Sequence, residues 1–242
     1  MNFRPDIFFE SFPSLFKFIW ITIFITVIAF SLALLLALLL NLIDKYKIPV
    51  LNSIAKIYIS FFRSTPMISQ LFFFYFAITP LIPFLKNATP TTSIILVLAM
   101  NESSFMAESI RGALNSVDKG QYEAGLVIGM TELQVFRRIV IPQAFRVALP
   151  SLSNSFIGTM KGTSLGFTIG VVEIMAQAKL LASKNYRVME SYMAALVVYW
   201  ILIILLVRVQ KIIENRFNRL TFNNRSRSSF SNYFKIWVLT ST

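Results

Sequence analysis

Apolar runs about as long as a bilayer is thick alternate along this chain with short stretches that carry most of its charge. Phe18 to Leu40 reads FIWITIFITVIAFSLALLLALLL, 23 residues without a charge. At about 1.5 Å per residue that run crosses a hydrocarbon core about 30 Å thick. A second apolar stretch, from about Ile57 to Ile82, is interrupted by Arg63, Pro66 and Gln70. A third, about Thr91 to Ile110, has only IILVLAM as its charge-free centre before Glu102 and Glu108, and needs neighbours to insert. A fourth, about Val147 to Met175, holds Asn154, Lys161 and several Ser, Thr and Gly. The last, Met193 to Val209, is clean up to Arg208. The pattern predicts an all-α membrane protein with five transmembrane helices and no internal repeat. No cleavable leader is expected, because the first residues are mixed and no small-residue cleavage site follows the first apolar run.

The charges set an orientation. Lys45, Lys47, Lys56, Arg111, Lys119, Arg137, Arg138 and Arg146 lie between spans one and two or three and four. Arg208, Lys211, Arg216, Arg219, Arg225, Arg227 and Lys235 follow the last span. Against these fifteen, the other side collects six: Arg4, Lys17, Lys86, Lys179, Lys184 and Arg187. The positive-inside rule puts the N-terminus outside and the C-terminus in the cytoplasm, as an odd number of spans requires. The Lys184–Arg187 loop fits this least well. The tail at 216–242 is Asn/Ser/Arg-rich and is expected to be poorly ordered, with no usable motif after Thr221.

Composition narrows the function. Of 242 residues 56% are hydrophobic and 14% charged, far from a soluble domain. With neither Cys nor His, thiolate chemistry and the commonest general base and metal ligand are gone. The net charge of +12 is explained by the loops beside the spans, so no nucleic-acid partner is expected.

The longest polar loop, DKGQYEAGLVIGMTELQVFRRIVIPQAF, Asp118 to Phe145, parses into two short helices. Asp118 caps the first, with Gln121 returning the bond, and Gly129 stops it. Thr131 caps the second, again with a Gln three residues on, and Pro142 is expected to end it. Glu123 lies beside the small Ala124 and Gly125, with Leu126 and Met130 as an apolar ridge. A capped hairpin with an acid and a small-residue face is a docking peg, or simply a tie between spans.

Three ionisable residues, Arg63, Glu102 and Lys161, fall inside apolar stretches, each at a cost of about 2.5–3.5 kcal/mol at a helix centre. Arg63 and Gln70, seven apart, are expected on one helix face with Pro66 freeing backbone groups between them. Arg63, Thr65, Gln70, Glu102, Lys161, Thr163 and Ser164 are candidates to line a passage for a zwitterionic or charged solute. The competing role is bundle cohesion.

EAGLVIGM followed by IVIPQAF resembles the EAA loop of ATP-binding-cassette importer permeases, at Glu123, Ala124, Gly125, Gly129 and Pro142, with Gly125 for the second Ala. FFRSTPMISQLFFFYF, NESSFMAESIRGALNSVDKGQYEAG and MKGTSLGFTIGVVEI resemble further signatures of the polar amino acid branch, with Ser64 for Gly and Gly162 for Asp. The resemblance spans about Ser14 to Ile213. It implies a permease domain at 14–215 of type I importer-like fold, with the EAA loop at about 115–145, in a bacterial cell membrane. It also implies two ABC ATPase subunits that bind ATP and Mg, no cofactor in this chain, a second permease chain and an external solute-binding protein. In this reading Glu123, Ala124, Gly125, Gly129 and Pro142 couple to the ATPase and a polar amino acid is the cargo. An ion-gradient-driven secondary transporter is the alternative; it calls for more spans and paired repeats. An intramembrane enzyme would need a carboxylate pair, metal cluster or nucleophile elbow, and none is present.

Overall fold

The computed structural model describes residues 3–239, with side chains as far as Arg216. The expectation of a poorly ordered tail at 216–242 lies outside the residues whose side chains are described. Every secondary-structure element among the described residues is helical: α1 Pro5–Phe16, α2 Ile19–Tyr46, α3 Pro49–Ser64, α4 Met67–Phe72, α5 Thr79–Leu81, α6 Pro90–Asn115, α7 Lys119–Val127, α8 Glu132–Val135, α9 Ile141–Gly162, α10 Ile174–Asn185 and α11 Val188–Leu239. Two π-helical turns, Phe73–Ile78 and Phe136–Val140, and a 3₁₀ segment, Thr163–Ile169, join some of them.

Three helices are long and apolar enough to cross a membrane: Ile19–Tyr46, Pro90–Asn115 and Val188–Arg216. A fourth crossing is available if Glu132–Ile169 and Ile174–Asn185, bent by 45° at their junction, count as one. The stretch at 147–175 is thus not one straight span.

The centre is built on close approach. Ile25, Ala29, Ala33 and Ala37 form a fully buried stripe on α2, and Met106 and Ala107 of α6 pack into its lower half. In lipid there is little hydrophobic drive between helices, so small side chains that let backbones meet carry the packing. Asn41 Nδ2 adds a tie across this seam, donating to Ala107 O at 3.0 Å and to its own Ala37 O at 2.9 Å. A second core joins Leu15 of α1, Ile174 and Ala178 of α10, and Ala194, Ala195 and Val198 of α11.

Both π turns end two residues before a proline, Pro80 and Pro142. A proline has no N–H to donate and its ring collides with the carbonyl four residues back. The wider turn moves those carbonyls aside: Thr79 N bonds Phe74 O and Ile141 N bonds Phe136 O, five residues back in each case. The helix that was expected to end at Pro142 therefore does not. It passes through the π turn, and Glu132–Ile169 form one rod.

The second apolar stretch is broken, not merely perturbed. Thr65 turns extended (φ −111°, ψ 147°) ahead of Pro66, as the residue before a proline tends to. Arg63 and Gln70 consequently lie on different helices and share no face. The break leaves the last carbonyls of α3 without helical partners, and Gln70 supplies them. Its Nε2 donates to Phe62 O and Thr65 O, each at 3.1 Å, and to Thr65 Oγ1 at 2.8 Å. Asn101 Nδ2 of α6 then donates to Gln70 Oε1 at 2.9 Å and to Phe62 O at 3.1 Å. Orphaned carbonyls cost about 1–3 kcal/mol each. A Gln70→Leu variant is expected to lose that support and Asn101 its acceptor. Its unfolding temperature in detergent, followed by size-exclusion profile, should fall by many degrees. A wild-type melting profile would show that the break finds other partners.

Candidate functional site

The loop between α6 and α9 is a folded hairpin. Asp118 Oδ1 accepts from Gly120 N at 2.7 Å and starts α7. Gln121 does not return that bond. Its Oε1 instead accepts from Gln143 Nε2 at 2.5 Å, pinning α7 to the base of α9. Gly129 sits at φ +85°, the left-handed conformation that a helix stop favours and side chains resist. Thr131 and Gln134 form the reciprocal capping box that the sequence predicts.

Gly125 has a different job from the expected one. It is buried, and a Cβ there would lie 2.8 Å from Val135 Cγ2 and 3.2 Å from Ile139 Cδ1. The surface it admits is the hairpin's own second helix. Glu123 and Ala124 stay exposed, and Glu123 has no ion pair among the described residues. Beside them the hairpin tip presents Val127 at 86%, Ile128 at 77% and Leu133 at 74% exposure. Three large aliphatic groups left so bare on a polar loop mark a contact surface. The expected ridge residues contribute less: Leu126 is 39% exposed and Met130 half-buried. Lys45, at the end of α2, lies over the Phe136 ring at 3.7 Å from its centroid and fastens the π turn to the first long helix.

Among the intramembrane candidates the structure draws a division. Glu102 is part-buried, its Oε1 3.2 Å from where a Cβ of Gly158 would stand, with Ser155 as a hydrogen-bonding neighbour. Lys161, one turn further along α9, is exposed and has no ion pair among the described residues, so Glu102 and Lys161 flank one region without closing on each other. Ser151, Asn154 and Lys161 are exposed on α9, with Gly158 half-buried among them. Their spacing of three, four and three makes a polar stripe along the helix. Ser164 Oγ donates to Lys161 O at 2.7 Å.

Thr163 turns inward. It is fully buried, donates to Met160 O at 2.8 Å and neighbours the Tyr199 hydroxyl. Thr65 and Gln70 belong to the capped break. Arg63 faces α6 elsewhere, 3.7 Å from Glu108 Oε2. Gly162, where the resembled signature carries Asp, has Leu98 Cδ2 2.7 Å from the position of a Cβ, so α6 presses on α9 where that side chain would stand.

One buried constellation centres on Glu173, which the resembled signature includes but to which the sequence reading gave no role. Glu173, with no exposed surface, caps α10: Oε1 accepts from Met175 N at 2.8 Å and from Ala176 N at 3.0 Å, and Oε2 accepts from the Tyr199 hydroxyl. The signal that would have found it is an acid placed between Gly170, which turns left-handed at φ +92°, and an apolar helix start.

The comparisons with known proteins follow this geometry. The family described as "Binding-protein-dependent transport system inner membrane component" matches residues 33–219. The "Probable amino-acid permease protein YxeN" of Bacillus subtilis (strain 168) is 43% identical over 214 residues, covering 88% of this chain and 96% of its own length. The "Probable amino-acid ABC transporter permease protein PatM" of Vibrio harveyi is 40% identical over 219 residues, covering 90% of this chain and 98% of that one. A solved structure described as an amino acid ABC transporter with histidines superposes with TM-score 0.81 at 29% identity, covering 89% of this chain and all of the other.

Proposed function

This chain belongs to the binding-protein-dependent transport system inner membrane component family, and from that premise we propose that it carries polar amino acids inward across a bacterial cell membrane. It is a permease subunit of an ABC transporter, a transport component and not an enzyme. In this reading the chain crosses five times, with the broken α3–α4–α5 segment as the second crossing and the N-terminus outside. A second permease chain completes the passage, an external solute-binding protein delivers the cargo, and two ATPase subunits bind ATP and Mg beneath it.

The observation that carries the reading is the hairpin at 118–135. It is capped at both helices, bare and aliphatic at its tip, and continuous through the Pro142 turn with a rod that, together with α10, is apolar enough to cross a membrane. Such a body can hold a partner at one end and move a passage at the other. Glu123, Ala124 and the Val127–Ile128–Leu133 tip face the ATPase, Gly125 and Gly129 shape the hairpin, and Pro142 sets the turn into the rod. On the passage side, Glu102 beside Gly158 and the exposed Lys161 offer one negative and one positive group to a zwitterion, against walls of Ser and Asn.

The test uses transporters reconstituted with ATPase and receptor. Glu102→Gln and Lys161→Met are each expected to cut uptake by roughly tenfold or more, equivalent to about 1.4 kcal/mol. Receptor-stimulated ATP hydrolysis should be lost less than uptake. Unchanged uptake and unchanged solute preference in both variants would remove these residues from the passage. Loss of uptake on ATP depletion, but not on dissipation of the ion gradient, is expected as well; the gradient-driven alternative finds no support.

A further inference from the structure

The face of α3 that looks along α6 holds a second polar constellation, distinct from Glu102 and Lys161. Lys56, Ser60 and Ser64 recur every four residues and so stand on one side of the helix, with Arg63 beside them. Together with Phe105 and Glu108 of α6 they line a groove of about 450 Å³. It continues toward the end of α2 into an adjoining recess that shares Lys56 and Glu108 and adds Asp44 and Arg111. Three cations therefore face two carboxylates.

The pairing inside the groove is uneven. Glu108 Oε2 is taken by Arg111 at 2.6 Å, while Arg63 stands 3.7 Å off with its guanidinium 5.8 Å from the Phe105 ring centroid. Among the described residues Lys56 has no ion pair, and the Ser60 and Ser64 hydroxyls have no hydrogen bond. Charged groups half-open on a membrane helix are costly against lipid and belong in a wet cavity. A surplus of donors with one positive charge to spare suits a carboxylate. Phe105 and Glu108 follow Glu102 at intervals of three along α6, so the groove lies on the loop side of the Glu102 level.

We propose that this groove is a second, exit-side station for the cargo, holding its α-carboxylate through Lys56, Ser60 and Arg63. The inference rests on the reading of the chain as an amino acid permease. It gives the carboxylate a place to go once it leaves Lys161.

The chain contains no cysteine, so Ser60→Cys introduces its only thiol, with Ser64→Cys as a second site should the first fail to assemble. The assembled transporter in vesicles is treated with a sulfonate-bearing or a trimethylammonium-bearing methanethiosulfonate, and labelling is read by mass spectrometry of this chain. The anionic reagent is expected to react roughly tenfold faster, equivalent to about 1.4 kcal/mol of local potential. The preference should collapse in a Lys56→Met background and shrink as salt rises. A mixture of serine, glutamine and histidine should slow labelling, and the mixture of their carboxamides should not.

Faster labelling by the cationic reagent, or equal protection by the carboxamides, overturns the station. Protection that follows the phosphatidylglycerol content of the vesicles instead of the added amino acids also overturns it and gives the groove to lipid. Uptake measured in the same vesicles separates the two levels. ATP-dependent uptake without carboxylate-dependent protection removes the station alone, and absence of uptake removes the permease reading with it.

Discussion

An Ile128→Asp, Leu133→Asp permease is expected to reach the membrane, fold normally and fail to hold its ATPase. Both side chains are about three-quarters exposed, so changing them leaves the interior untouched. Burying a large aliphatic side chain yields about 1.5–3 kcal/mol, and an aspartate at a closing interface must instead be desolvated. Two such losses amount to roughly a thousandfold or more in affinity, since every 1.4 kcal/mol is about tenfold. Copurification of ATPase with tagged permease reads the association directly, and the permease's own melting temperature reads the fold. Full recovery of the ATPase would mean that the aliphatic tip is not the docking surface. Glu123→Lys isolates the charged part of the same contact. It should weaken association by less, and more so at low salt than at high.

Glu173→Leu is the largest structural effect anticipated. The leucine fills the space but leaves Met175 N, Ala176 N and the Tyr199 hydroxyl without partners in a site closed to water. At about 1–3 kcal/mol for each orphaned group, the total approaches the stability of a small domain. Glu173→Gln retains an oxygen for the two backbone donors and should come close to wild type, while Tyr199→Phe should lie between. The order of the three melting temperatures is the measurement. A leucine variant as stable as the glutamine one would show that the cap carries little.

The sequence reads well where local chemistry acts alone. The Thr131–Gln134 box and the Gly129 stop are decided by a few neighbouring residues, and both are present as expected. The long charge-free run of α2 needed no context either. Misreadings arose where a tertiary partner changed the meaning of a residue. Gln121 bonds across to Gln143, twenty-two positions away, in place of its neighbour. Gly125 looked like half of a docking face until Val135 covered it. Pro142 was read as a stop because an interior proline usually ends or kinks a helix, and the π turn that carries the chain past it leaves no mark of its own in the sequence. Arg63 and Gln70 were grouped by a spacing that the Thr65–Pro66 break cancels. Glu173 was matched only as part of a resembled signature and given no role, because an acid beside a span gives no hint that its partner will be a tyrosine on another helix.

The unbroken run from Glu132 to Ile169 makes the hairpin tip and the Lys161 region two ends of one crankshaft. From Glu132 to Gly162 it measures roughly 45 Å, so a swing of only a few degrees displaces either end by an ångström or two. No relay of side chains is needed for that displacement. The angular phase between the ends matters as much as the stiffness. Adding one residue after Val140 would turn the far end by about 100° relative to the tip. An insertion of that kind would leave both ends intact and still idle the machine.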